Sequence, residues 1–267
     1  MGTSAASIGA AIRRTVIDQS RRAHVGHIGS ALSVSDLLAV LFGTTMNGTP
    51  DDPDRDRFVL SKGHAALALY AALHEAGHLS AEDLDTYCAD GSPLGCHPEH
   101  PVPGIDFSTG SLGQGLSLAA GAALAARMQR SKRRSFAVLS DAELNEGSIW
   151  EAVMFAAHHK LSNLVAIVDV NGQQALGYTR DVIDLHPLAD RFGAFGWDVH
   201  EVDGHDTETL ERTIAGLDVE QGPPHVLLAN TTFGYGVDFM ESKIEWHYWP
   251  LDEHQYASAV EQLEAAR

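Results

Sequence analysis

Hydrophobic positions along the chain alternate between short continuous runs and longer stripes of helical period. Residues 5–22 place Ile8, Ala11, Ile12, Thr15, Val16 and Gln19 on one stripe, which predicts an amphipathic helix. HVGHIGS (His24 to Ser30) then predicts a loop whose glycines let backbone approach a ligand, and Ser33 or Ser35 caps a helix, DLLAVLFG, that stops at Gly43. The runs RFVLSKG, FAVLSD, LVAIVDVNG, WDVHEVDG and HVLLANTTFGYG read as strands. Between them lie predicted helices: one from His64 to a glycine stop at Gly77, a short one capped by Ser80, one after Gly110, Gly113 and Gly115, GSIWEAVMFAAHHKL, Pro187 to Phe195, Thr207 to Gly216, and a closing helix from Asp252 to Ala266. Strands alternating with helices predict an α/β fold, doubly wound, with a mainly parallel sheet flanked by helices. Residues 1–267 read as one domain without repeat or linker.

FAVLSD closes on Asp141 and LVAIVDVNG closes on Asn171, with a crossover helix between them. Parallel strands so joined point the same way, so both residues emerge at the carboxyl edge of the sheet, where such folds bind ligands. A carboxylate beside an amide oxygen suits a hard divalent cation, and Mg²⁺ commonly shares such ligands with phosphate. The same pattern also fits an ordinary strand-helix-strand unit. Gly110, Gly113 and Gly115 ahead of a helix offer backbone N–H groups to a phosphate, or else allow close helix packing.

Composition narrows the partners. Of 267 residues 44% are hydrophobic, and 36 acids against 18 bases leave a net charge of −18, which argues against nucleic acid. No apolar run predicts a membrane span, and Gly2 lacks a myristoylation pattern. Cys88 and Cys96 are too few for a disulfide framework, so a cytoplasmic location is expected. Fifteen histidines are many, and His27, His64, His97 and His247 stand at element ends beside glycine or other turn residues. None has zinc-motif spacing; grouped around a substrate they could hydrogen-bond hydroxyls and move protons. His158, His159 and His186 are expected on helices, away from any chemistry.

In order, GHIGSALS, DRFVLSKGHA, GCHPE, STGSLGQGLS, SDAELNEGSIWEA, NLVAIVDVNG and TTFGYG resemble the transketolase family, specifically its N-terminal, diphosphate-binding half, over nearly the whole chain. The resemblance implies that a two-carbon ketol unit passes from a ketose to an aldehyde through thiamine diphosphate. It implies Asp141, Asn171 and the backbone carbonyl of Gln173 as ligands of Mg²⁺ (or Ca²⁺ or Mn²⁺). It implies cofactor contacts at His64, Gly110, Ser111, Leu112, Asp141, Ala142, Glu143, Glu146, Asn171 and His247, and substrate-facing histidines at His27, His64, His97 and His247. Glu146 matches an acid of the family's subunit interface. Two departures stand out: Ala142 replaces a glycine of the metal turn, and Tyr248-Trp249 replaces a small pair after His247. The family's catalytic glutamate lies in a pyrimidine domain that follows this half. A partner chain carrying the pyrimidine and C-terminal domains, in an α₂β₂ assembly, is therefore expected, with sugars or sugar phosphates as substrates. Alternatives are one subunit of a thiamine-dependent carboligase or 2-oxo acid decarboxylase, and a non-catalytic scaffold chain, which Ala142 alone favours.

Overall fold

The computed structural model describes residues 3–266; Met1, Gly2 and Arg267 lie outside the described residues. Helix α1 (Ala5–Ala23) is capped by Ser4, whose hydroxyl accepts the Ser7 N–H, and ends at His24 in the left-handed region. The expected loop through Ser30 is shorter than its glycines suggested, because α2 (Ile28–Ser33) begins directly after His27. Neither serine caps the next helix: Ser33 lies inside α2, and α3 (Ser35–Val40) begins at Ser35 itself, whose hydroxyl donates back to the Ala31 carbonyl. Nor does the helix stop at Gly43, since it runs on as a π-helical turn, Leu41–Thr45.

Strand β1 (Arg57–Leu60) leads through a 3₁₀ turn, Gly63–Ala65, into α4 (Ala66–Glu75), and α5 (Ala81–Leu84) is closed by a Ser80–Asp83 capping box. Helix α6 (Gly115–Met128), β2 (Ser135–Ser140), α7 (Gly147–His158) and β3 (Leu164–Val170) follow as the pattern predicted. A two-rung hairpin, β4 (Gln173–Gln174) and β5 (Gly177–Tyr178), precedes α8 (Thr179–Val182) and α9 (Leu188–Ala194). His186 stands before α9 rather than on a helix. The chain ends with β6 (Asp198–Asp203), α10 (Thr207–Ala215), β7 (His225–Asn230), a 3₁₀ turn at Ile244–His247 and α11 (Glu253–Ala265).

The five-stranded sheet has the order β1-β2-β3-β7-β6 and every pair in it is parallel. Alternation along β3 explains why it is apolar throughout: Val165 and Ile167 pack with the layer of α1 to α4, while Ala166 and Val168 pack with that of α6, α7 and α9. With both faces covered, the carboxyl edge is where polar strand ends collect. Among the described residues no helix is long and apolar enough to cross a membrane.

Candidate active site

Register sets Ser140 of β2 beside Asp169 of β3, and the next residue, Asp141, donates its N–H to the Asp169 carbonyl at 3.2 Å. The Asp141 carboxylate accepts the Ala142 N–H at 2.9 Å and, from the turn after β3, the Gly172 N–H at 2.9 Å. Asn171 turns its amide oxygen to the Gln173 N–H at 2.9 Å and donates its nitrogen to Asp169 at 2.7 Å. The sheet thus brings the carboxylate and the amide together, as their strand-end positions predicted. The Gln173 side-chain nitrogen donates to the Ser242 carbonyl at 2.8 Å. Burial first, and the neighbouring Asp169 second, push the Asp141 carboxyl up to about 7. A cation placed against it would relieve that cost.

Beneath these oxygens lies a group that the sequence pattern did not single out. Lys62, in the turn after β1, and Asp169 form a fully buried ion pair. Asp169 also accepts from Ser33 of α2 at 2.8 Å and from Thr231 after β7. A lysine and an aspartate each embedded in an apolar run were the available signal; their partnership spans 107 positions and has no local signature.

His27, His64 and His247 form a triangle with ring centroids 5.2 to 5.5 Å apart. His27 occupies the residue before α2 with φ 62°, and its N–H donates to the His247 carbonyl at 3.3 Å. His64 shares a 2.8 Å hydrogen bond with the Ser30 hydroxyl, and the His247 ring stacks parallel to Phe233. Burial, reinforced by Lys62 and by the other imidazoles, holds His64 well below the ordinary value and His247 at about 4; burial and His97 lower His27. All three are neutral at neutral pH. His97 joins them from the loop before α6, its ring against Gly110, where a β-carbon would come within 3.1 Å of it. Gly110 has φ 155°, Ser111 beside it is exposed and Leu112 half-buried.

Glu143 is buried and structural in its contacts: its carboxylate accepts the Ser61 hydroxyl at 2.5 Å and the Gly113 N–H at 2.8 Å, and so anchors the glycine loop to β1 and β2. Glu146 is exposed at the start of α7. Ala142 lies in the 3₁₀ turn Ala142–Asn145 and is not among the residues of positive φ, so its methyl group carries no backbone penalty. Tyr248, its ring 5.1 Å from that of His247, donates its hydroxyl to the Ala175 carbonyl at 2.5 Å, while Trp249 is exposed.

These groups fit a metal-bridged diphosphate. The oxygen pair includes a carboxylate whose charge nothing nearby fully compensates, and Nδ1 of His27 and of His247 is buried without a hydrogen-bond partner. Residues 4–265 match the family described as transketolase, thiamine diphosphate binding domain. An apulose-4-phosphate transketolase subunit of Phocaeicola vulgatus is 42% identical over 254 residues, covering 94% of this chain and 90% of that one. The 6-deoxy-6-sulfo-D-fructose transketolase subunit SqwG of a Clostridium species is 41% identical, covering 95% of this chain and 94% of that one. Among solved structures, transketolase from Campylobacter jejuni superposes with a TM-score of 0.91 at 32% identity, covering 99% of this chain and 43% of that one. Transketolase from Leishmania mexicana gives 0.90 at 31% identity, with 99% and 42% covered, so this chain spans less than half of either solved chain. Family match and fold together are those of a thiamine-diphosphate-dependent transferase. The chain belongs to the transketolase family, matching its thiamine diphosphate binding domain.

Proposed function

We propose that this chain is the diphosphate-binding half of a two-chain transketolase, which moves a ketol unit from a modified ketose to an aldehyde acceptor. The observation that carries the reading is the triangle of neutral imidazoles together with the Asp141–Asn171 turn at the carboxyl ends of β2 and β3. Asp141, Asn171 and the Gln173 carbonyl hold Mg²⁺, or Ca²⁺ or Mn²⁺ in its place, and Gly110, Ser111 and Leu112 approach the diphosphate. Bound thiamine diphosphate supplies the electron sink for carbon–carbon cleavage. His27, His64, His97 and His247 orient sugar hydroxyls, and the three neutral rings of the triangle accept protons from them. Glu146, exposed at the start of α7, faces the subunit interface.

Relatives named as single subunits of transketolases are matched along nearly their full length, which supports a separate partner carrying the pyrimidine and C-terminal domains in an α₂β₂ assembly. The two cysteines suit a cytoplasmic location. Tyr248, bridging to Ala175, narrows the mouth, and the named substrates of those relatives are ketoses other than the ordinary pentose phosphates. The backbone at Ala142, which is not of positive φ, supports a working metal turn over a decayed scaffold chain. The test is a reconstitution: chain and partner are purified separately, and ketol transfer and binding of thiamine diphosphate plus Mg²⁺ are measured with each alone and with both. Transfer and tight binding are expected only in the mixture. Robust transfer by this chain alone would remove the two-chain reading, and efficient turnover of xylulose 5-phosphate with ribose 5-phosphate would remove the modified-ketose reading.

A further inference from the structure

At the amino-terminal edge of the sheet, opposite the histidine triangle, β6 and β7 start in register with Asp198 beside His225. The two-residue period of a strand puts His200 on the same face as Asp198. Asp198 Oδ2 lies 3.1 Å from His200 Nε2 and 3.1 Å from His225 Nδ1, and the three atoms all fall within 4.8 Å of one another. The His225 side chain is 3% exposed and that of Asp198 47%, so the group opens to solvent on one side.

The tautomer of His225 decides what the group needs. Its Nε2 stands 3.0 Å from the Asp218 carbonyl, in the segment that follows α10. A carbonyl only accepts, so Nε2 carries the hydrogen. A neutral ring then presents a bare lone pair at Nδ1, and that lone pair faces a carboxylate oxygen. Acceptor against acceptor at this distance requires a positive centre: a second proton on the ring, or a metal ion. Among the described residues Asp198 has no lysine or arginine partner, so the imidazoles are its only candidate counter-charges. A proton would need one of them; the second imidazole completes a ligand set. Histidine with its far nitrogen fixed on a backbone carbonyl is the arrangement that metal ligation uses. Tetrahedral bonds of about 2.0–2.1 Å set ligand atoms roughly 3.3 Å apart, close to the two 3.1 Å spacings that Asp198 makes with the imidazoles.

We propose that Asp198, His200 and His225 bind a divalent transition cation of the zinc class, with water in the open position, at a site separate from the carboxyl edge. The ion joins β6, β7 and, through His225, the segment at Asp218. Its donors, two nitrogens and a carboxylate, select against Mg²⁺, which prefers oxygen alone.

The full chain, stripped with a chelator and held in excess Mg²⁺, is titrated with Zn²⁺ by calorimetry and with Co²⁺ by visible absorption. One Zn²⁺ per chain beyond any taken up at the carboxyl edge, a Co²⁺ d–d band and a raised melting temperature are expected. His200→Ala, a substitution at a partly exposed position that spares the core, weakens this binding by roughly tenfold or more and abolishes the thermal gain. His225→Gln does the same if it folds, and the His200 variant decides the matter if it does not. No Zn²⁺ uptake by the wild type, or uptake and thermal gain unchanged in His200→Ala, overturns the proposal and leaves a protonated His225–Asp198 ion pair.

Discussion

Asp141 carries two opposed demands. Its raised value means that the folded, metal-free chain holds a proton there more tightly than the unfolded chain does, so stability present at pH 4 is lost as the pH rises toward about 7. Asp141→Asn is therefore expected to raise the melting temperature of the metal-free chain at pH 8 by a few degrees while removing the stabilisation that Mg²⁺ and thiamine diphosphate bring to the complex. A variant less stable than wild type at pH 8 without metal would contradict this account. The imidazoles act in the other direction. With His247 lowered to about 4, the neutral form is the folded form, and stability falls as the pH drops from about 6.5 through 4. His247→Gln is expected to flatten that acid limb in thermal melts and to slow ketol transfer by the assembled enzyme by at least roughly a hundredfold. An unaltered acid limb would show that other groups govern it.

At the scale of elements, the site is a junction. Lys62 and Asp169, with Ser33 and Thr231, tie the turn after β1 and the ends of β3, α2 and β7 to one buried carboxylate. Lys62→Met leaves that charge without its cation, and a loss of about 3–5 kcal/mol in urea unfolding is expected; a loss under about 1 kcal/mol would mean the pair is not desolvated as described. Helix α2 packs so closely that a β-carbon at Gly29 would lie 2.2 Å from the Phe233 ring, which stacks on His247. Gly29→Ala is thus expected to lower turnover more than cofactor affinity, read by comparing the fold loss in kcat with the fold rise in the thiamine diphosphate Kd. Equal loss in both would place the damage elsewhere.

This junction marks the limit of what the sequence makes legible. The central strands β2, β3 and β7 were readable because both faces of the sheet are covered there and their apolar runs are continuous, and Asp141 and Asn171 were readable as the polar ends of two of those runs. Helix α2 was not, because it starts behind a left-handed histidine, which no capping rule anticipates, and its glycine serves contact with Phe233 rather than a turn. Lys62 and Asp169 escaped because only the folded sheet makes them neighbours.

Taken whole, the molecule segregates its chemistry. An all-parallel sheet directs the strand ends that carry the candidate cofactor groups to one rim, and the Asp198, His200 and His225 cluster to the other. Removal of divalent ions from the assembled enzyme with a chelator is expected to abolish transfer, and Mg²⁺ alone is expected to restore it, since the nitrogen-rich cluster lies at the opposite rim of the sheet. Failure of Mg²⁺ to restore activity without Zn²⁺ would couple the two rims.

The hydrogen bond from the His27 N–H to the His247 carbonyl joins the beginning of the chain to its closing stretch. During synthesis, every residue from 27 to 247 must therefore emerge before those two imidazoles can meet. A nascent chain cut before residue 247, however much of its sheet has formed, therefore lacks the third ring of the triangle.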